Sequence, residues 1–268
     1  MPKLTVNGYA IDYAEQGTGE PVVFVHGTLN DQRYWAPQME AFGRQYRAIA
    51  ISLRHYWPAQ WDGVGDDFKM DQHIADTAAF CAALNAGPVR LVGHSRGGHI
   101  AFRVAHLHPE LLRAVVLAEP GGEIDESLGG KPGARAQAAA FAEAANILKA
   151  GDREAALRRV AEHTGGPGAW EKRAQPRKDM NRDNVMTLLG QIDERRRPYA
   201  RSEAEAVRAP TLLVGGDRTL PNFNANLDAL EKTIAGAERV TIANAAHAMS
   251  QDNPTQFNAA VLDFLARH

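Results

Sequence analysis

The segment Gly93-His94-Ser95-Arg96-Gly97-Gly98 constrains the fold of this chain more than any other. It follows a short apolar run, Val89 to Val92, and precedes a helical pattern from Gly98 to His106, so the backbone must pass from strand to helix within a few residues. A turn that sharp forces the residue at its tip into a strained conformation, and small residues two before and two after it relieve the crowding. Ser95 is that residue. The spacing predicts a serine hydroxyl held out above a sheet edge, where it can act as a nucleophile.

The rest of the chain supplies the sheet. Strands are predicted at Tyr9 to Glu15, Val22 to His26, Ala48 to Ile51, Val89 to Val92 and Ala114 to Ala118, with helices at Tyr34 to Phe42, His73 to Leu84 and Gly98 to His106 between them. This alternation implies an α/β fold with a mostly parallel sheet, and the nearly continuous apolar strands imply burial on both faces. After Pro120-Gly121-Gly122 the rhythm changes to Ala-, Arg- and Glu-rich helical windows without a convincing strand. Alternation resumes at Thr211 to Val214, Ala225 to Thr233, Val240 to Ile242 and Thr255 to Ala266. The expected organisation is a core domain of residues 1–122 and 206–268, interrupted by a helical cap at 123–205.

Within the insertion, Val185, Leu188, Leu189 and Ile192 share one face at helical spacing and read as a packing stripe. Arg195-Arg196-Arg197 before Pro198 reads as a cationic helix end, with an anion site as the other reading.

At 268 residues, 44% hydrophobic and 23% charged, the chain has the composition of a globular protein, not of a disordered or fibrous one. A formal net charge of -2 gives no general attraction to phosphate backbones or anionic lipid, so neither a nucleic-acid nor a membrane partner is expected. The start lacks the apolar stretch of a signal peptide, which makes the cytoplasm the expected location. The single cysteine, Cys81, excludes an intrachain disulfide and reads as a buried core residue.

A serine hydroxyl needs a base. Of ten histidines, His247 is best placed, because Thr241 to His247 reads as a late strand entering a loop before the last helix. His94, His99, His106 and His108 lie in or after the elbow and are assigned packing or surface roles. The attacked carbonyl also needs donors for its developing oxyanion. The backbone N–H of Arg96, next to the serine, is one; that of Thr28, in the turn His26-Gly27-Thr28-Leu29, is the other.

The His26-Gly27-Thr28 turn, the elbow, the helical insertion and the late His247 together resemble the α/β-hydrolase fold family, in order and along essentially the whole chain. The resemblance implies an eight-stranded, mostly parallel sheet flanked by helices, an inserted cap, and a Ser, acid, His triad. The acid departs from the commonest pattern, an Asp after the seventh strand, where the turn Gly215-Gly216-Asp217-Arg218-Thr219 puts Thr219 in the expected place. Asp217 is two residues early. Glu119, closing the apolar strand Ala114 to Ala118, resembles the acid of members in which that group follows the sixth strand, and a carboxylate there is costly without a partner. Both remain candidates, Glu119 the preferred one.

The aromatic loop from Arg54 to Phe68 suggests a pocket for an apolar acyl or ring-shaped substrate, with His55, Trp57, Trp61 and, beyond the histidine, Met249 as candidate lining residues. His73, near the same loop, is read as packing. The expected activity is hydrolysis of a carboxylic ester or lactone through an acyl-Ser95 intermediate, with no metal or organic cofactor. The rivals are carbon–carbon bond hydrolysis or lyase chemistry on the same triad, and a non-enzymatic ligand receptor. The oligomeric state is left open.

Overall fold

The computed structural model describes every residue except 134, 135, 193 and 195. Eight strands, β1 (Lys3–Val6), β2 (Tyr9–Gln16), β3 (Pro21–Val25), β4 (Arg47–Ile51), β5 (Val89–His94), β6 (Leu112–Ala118), β7 (Thr211–Gly216) and β8 (Glu238–Ile242), form one sheet. Their order is β1-β2-β4-β3-β5-β6-β7-β8. The β1–β2 and β2–β4 pairs are antiparallel and the rest parallel. The sheet is therefore eight-stranded and mostly parallel, as expected. β1 went unpredicted because its four residues, Lys3-Leu4-Thr5-Val6, form a mostly exposed edge with too little apolar signal.

Successive side chains of the central strands point to opposite faces, and each face meets helices. Val22 and Phe24 of β3 join a core with Phe257, Val261 and Phe264 of the C-terminal helix α11 (Pro254–Arg267) and Phe42 of α1 (Ala36–Gly43). Val23 and Val25 join the opposite core with Ile74 and Phe80 of α2 (Met70–Ala83), Ile100 and Phe102 of α3 (Arg96–Leu107) and Leu227 of α9 (Pro221–Thr233). Each such side chain contributes roughly 1.5–3 kcal/mol by leaving water. Cys81 is buried in the second core, which raises its thiol pKa to about 12.

Between β6 and β7 the chain runs through α4 (Ala136–Lys149), α5 (Arg153–Gly165), α6 (Ala169–Lys172), α7 (Gln175–Asp183), a 3-10 helix (Val185–Gln191) and α8 (Arg201–Glu205). The two ends of this excursion lie side by side, joined by a bridge between Ile124 and Tyr199. Phe141, Leu157, Trp170 and Leu188 build its core, and Leu29 from the loop after β3 enters that core. Asn181 Nδ2 donates to the Leu29 carbonyl (2.7 Å), and Asn184 Nδ2 to Asp31 (2.7 Å).

The predicted stripe at Val185 to Ile192 does bury Val185 and Leu188, but on a 3-10 helix. Two observations account for this: the Thr187 hydroxyl donates back to the Asn184 carbonyl, and Gly190 lies against the Phe68 ring, with no room for a side chain. Consequently Arg196, Arg197 and Pro198 stand in irregular backbone, not at a helix end, and Arg195 lies outside the described residues. A last element, the short α10 (Met249–Asp252), precedes α11.

Backbones also cross closely at the elbow. A Cβ on Gly97 would collide with the Val25 carbonyl oxygen, and one on Gly93 with the Gly97 carbonyl. Gly87 has a positive φ of 75° but open space around it. Gly97→Ala should therefore cost more than about 2 kcal/mol, since backbone must move, whereas Gly87→Ala should cost about 1 kcal/mol. Urea denaturation of the two variants checks the ranking; equal losses would contradict it.

Candidate active site

Residues distant in sequence reach one edge because of strand register. His94 pairs with Ala118 across β5 and β6, and Ala118 with Val214 across β6 and β7. Ser95 and Glu119 therefore leave the sheet side by side. Ser95 N donates to the Ala118 carbonyl (3.0 Å), and Glu119 N to the Val214 carbonyl (2.9 Å).

Ser95 has φ 53° and ψ -114°, the strained turn that the flanking glycines predict. Its carbonyl accepts from His99 N and Gly121 N, at 3.0 and 2.9 Å, which locks the turn onto both α3 and the strand beside it. Among the described residues the Ser95 hydroxyl joins no hydrogen bond, and the residue is buried, at 8% exposure.

Glu119 is fully buried, also at positive φ (38°), and its carboxylate is filled with donors. His247 Nδ1 donates to Oε2 at 2.6 Å, the Thr219 hydroxyl donates to the same oxygen at 2.7 Å, and Gly216 N donates to Oε1 at 2.8 Å. Thus Thr219, at the place where the sequence pattern leads one to expect an aspartate, donates instead to Glu119. Asp217 does not approach His247. It is exposed and accepts the backbone N–H groups of Asn244 (2.9 Å) and Ala245 (3.0 Å), which hold its carboxyl below its ordinary range and shape the loop carrying the histidine.

Two further residues fix His247: His94, which the sequence assigned only a packing or surface role, and Phe223, which it did not mark. His94, next to the serine, donates from Nε2 to the His247 carbonyl at 2.7 Å. Phe223 of α9 stacks on the imidazole with ring centroids 3.9 Å apart at 17°. A histidine immediately before the nucleophile was the available signal for the first. The second depends on tertiary packing alone.

Burial sets the electrostatics of the pair. It pushes the Glu119 carboxyl up to about 7, against the opposing donors Gly216 N–H and Thr219 O–H. It pushes the His247 imidazole down to about 3, with Arg177 and Arg173 adding to the depression. At neutral pH the imidazole is therefore neutral, with Nδ1–H committed to Glu119 and Nε2 left to accept a proton.

The Thr28 and Arg96 amides donate to no other group among the described residues. Their loops meet closely, since a Cβ on Gly27 would touch Ser95 Cβ at 3.1 Å. His26, in the same turn, is a structural pin: its Nε2 accepts the Leu53 amide (3.0 Å) and its Nδ1 donates to the Gly27 carbonyl (2.8 Å).

The expected pocket residues separate. Trp61 lines a cavity of about 410 Å³ with Phe68, Leu189 and Glu194. His55, Trp57 and Met249 line neither that cavity nor the larger one described below. His55 is stacked on Trp61 and bonded to Asp67 (2.7 Å), Trp57 lies under the Arg33 guanidinium, and Met249 is fully buried in the core under β5 and β6. The aromatic loop thus packs largely on itself, with Trp61 and Phe68 also facing the cavity. His73 likewise packs, accepting from Arg96 Nη2 at 2.8 Å.

Among the described residues no cluster of three or more His, Cys, Asp or Glu side chains could hold a metal ion, and no helix is long and apolar enough to cross a membrane.

Comparison with known proteins agrees with this architecture. The family profile described as the alpha/beta hydrolase fold matches residues 20–254. The chain is 34% identical over 112 residues to (E)-2-((N-methylformamido)methylene)succinate hydrolase of Acinetobacter baylyi, covering 41% of each protein. It is 35% identical over 122 residues to a putative non-heme bromoperoxidase, BpoC, of Mycobacterium tuberculosis, covering 43% of this chain and 44% of that one. These alignments span less than half of the relatives' length. The enol-lactonase from Burkholderia xenovorans superposes with a TM-score of 0.80 at 20% identity, covering 99% of this chain and all of that one (100%).

The geometry makes two predictions. Glu119→Gln should lower turnover by about a thousandfold or more, while Asp217→Asn, which only loosens a turn, should cost far less; the reverse order in steady-state kinetics would identify the other acid. A catalytic pair made of the Glu119 carboxylate and a neutral His247 imidazole would make kcat/KM rise with pH through about 7 and be lost below it. Thr219→Val removes a donor that favours the carboxylate, so that limb should move to higher pH. A limb that stays in place would show that the pair does not control it.

Proposed function

The chain belongs to the α/β-hydrolase fold family, and on that premise we propose that it is a serine hydrolase cleaving a carboxylic ester or lactone of a small, mainly apolar molecule. Ser95 is the nucleophile, His247 the general base and Glu119 the acid of the triad. The amides of Thr28 and Arg96 form the oxyanion hole, and the helical segment 123–205 acts as the cap of a core domain formed by residues 1–122 and 206–268.

One observation carries this reading: a serine at φ 53° on a strand-to-helix elbow stands beside a strand-end glutamate bonded to an imidazole at 2.6 Å. The chemistry follows from these groups. Ser95 Oγ attacks the carbonyl carbon while its proton passes to His247 Nε2. The carbonyl electrons move onto oxygen, where two preset N–H donors stabilise the charge. Collapse of the intermediate breaks the bond to the alkoxide, which takes the proton from Nε2 and leaves an acyl-serine. Water then attacks the acyl carbon, gives its proton to Nε2 and releases the acid as Ser95 regains a proton. Glu119 keeps Nδ1–H oriented and stabilises the transient imidazolium without taking its proton.

The residue at the elbow also argues against epoxide or haloalkane hydrolysis, which uses a carboxylate nucleophile in this family. Carbon–carbon bond cleavage would use the same triad, so the covalent intermediate is the discriminating species.

Exposure to a panel of 4-nitrophenyl esters and lactones, followed by mass spectrometry of the intact protein, should reveal an acyl adduct on Ser95. Ser95→Ala should abolish the adduct and lower turnover by about 10⁴-fold or more, whereas Thr28→Ala, which keeps the backbone donor, should cost much less. Absence of both adduct and turnover across the panel would overturn the proposal.

A further inference from the structure

The buried side of the elbow holds an unbalanced charge cluster. Arg96 is wholly buried, and its Nη1 donates to Glu194 Oε2 at 2.6 Å while Nη2 bonds Oε1. Arg196 shares the same carboxylate, Nε to Oε2 at 3.1 Å. Its side chain is only 11% exposed. The neighbouring His73 accepts from Arg96 and is held neutral by burial. Among the described residues, two guanidiniums thus share one carboxylate, and the excess positive charge sits on Arg196.

Arg196 faces a cavity of about 420 Å³ between the insertion and Gly122. Gln191 and Gln137 line the same space and hold the guanidinium, accepting from Nη2 at 3.2 Å and from Nη1 at 3.4 Å. Because a guanidinium only donates, Gln191 must present its oxygen to Arg196. Its Nε2 is then left buried without a partner, on a residue 3% exposed. A buried N–H group with no acceptor, beside a cation with half a counterion, is a site prepared for an anion. Phe141 and Ile124 give the cavity apolar walls, and the Phe141 ring lies 5.6 Å from the guanidinium carbon. Of the other carboxylates lining the cavity, Glu123 accepts the Gln137 amide, Asp125 accepts the Ser127 amide, and Glu126 is exposed to solvent, as is the lining cation Lys131.

The site adjoins the nucleophile. A Cβ on Gly121 would meet Ser95 C at 3.3 Å and Arg196 Nη1 at 3.4 Å, so only Gly121 separates the serine backbone from the guanidinium. On the other flank, the Thr28 hydroxyl donates to Gln191 Oε1 at 3.4 Å. We propose that Arg196, with Gln191 Nε2, is a carboxylate-binding subsite, and that the natural substrate is an ester or lactone whose apolar body also carries a free carboxylate. This inference rests on the serine-hydrolase reading and names the substrate class of that site.

Two substrate pairs differ only in the carboxylate: 4-nitrophenyl hydrogen glutarate against 4-nitrophenyl valerate, and 4-acetoxybenzoate against phenyl acetate. In the wild type, kcat/KM should favour the charged member of at least one pair. Arg196→Gln should reduce that preference by about ten- to a hundredfold, the worth of a charge-assisted contact in a dry site, and Arg196→Lys should restore part of it. No preference in either pair, or a preference unmoved by Arg196→Gln, would overturn the subsite. Should the wild type hydrolyse none of the four, the serine-hydrolase reading fails by itself. Calorimetric binding of benzoate would then decide the subsite: binding lost in Arg196→Gln supports it, and no binding to the wild type removes it.

Discussion

The close approach of the elbow to the end of β3 governs everything above it. Gly97 lies against the Val25 carbonyl with no room for a single carbon, and Gly27 lies against Ser95 itself. Because the two backbones touch, the loop carrying Thr28 and the turn carrying Ser95 and Arg96 cannot shift independently. The strain at Ser95 is sustained by a sheet buried on both faces, whose parallel register also sets Glu119 beside it.

That register explains how a buried carboxylate can stand just past the end of β6. A carboxylate is tolerated at 0% exposure only when its lone pairs are filled. Three elements contribute the filling: Gly216 from the end of β7, Thr219 from the turn after it, and His247 from the loop after β8. A threonine in the place of the commoner aspartate is thus the complementary half of the same arrangement. An aspartate there would face Glu119 and set two carboxylates on one imidazole, with mutual repulsion raising the pKa of one of them.

How much of this was legible in the sequence follows from the range of the interactions. Ser95 and its glycines were readable because backbone sterics act over five residues, and Glu119 because a charge at the end of an apolar strand is conspicuous. The core strands were readable from apolar runs, whereas β1, an exposed edge of four residues, was not. The stripe at Val185 identified the buried face but not the helix type, since 3.0 and 3.6 residues per turn bury the same positions over so short a segment. The aromatic loop could not be resolved by composition: stacking of His55, Trp61 and Phe68 on one another looks, in one dimension, like the lining of a pocket. Arg196 was visible only as one of three cations, because the partners that distinguish it, Glu194, Gln191 and Gln137, are brought together by the fold of the insertion.

The Arg96–Glu194 contact also ties that insertion to the proposed reaction centre. Arg96 follows Ser95, the proposed nucleophile, and its side chain is gripped at both Nη atoms by a residue of the excursion between β6 and β7. A buried pair of this kind adds little net stability, because desolvation consumes most of its Coulombic gain, but it is highly directional. On the opposite side, Leu29 inserts into the core of the same excursion and Asn181 holds its carbonyl. The insertion therefore grips Leu29, the neighbour of the proposed donor Thr28, and the side chain of Arg96, the other proposed donor.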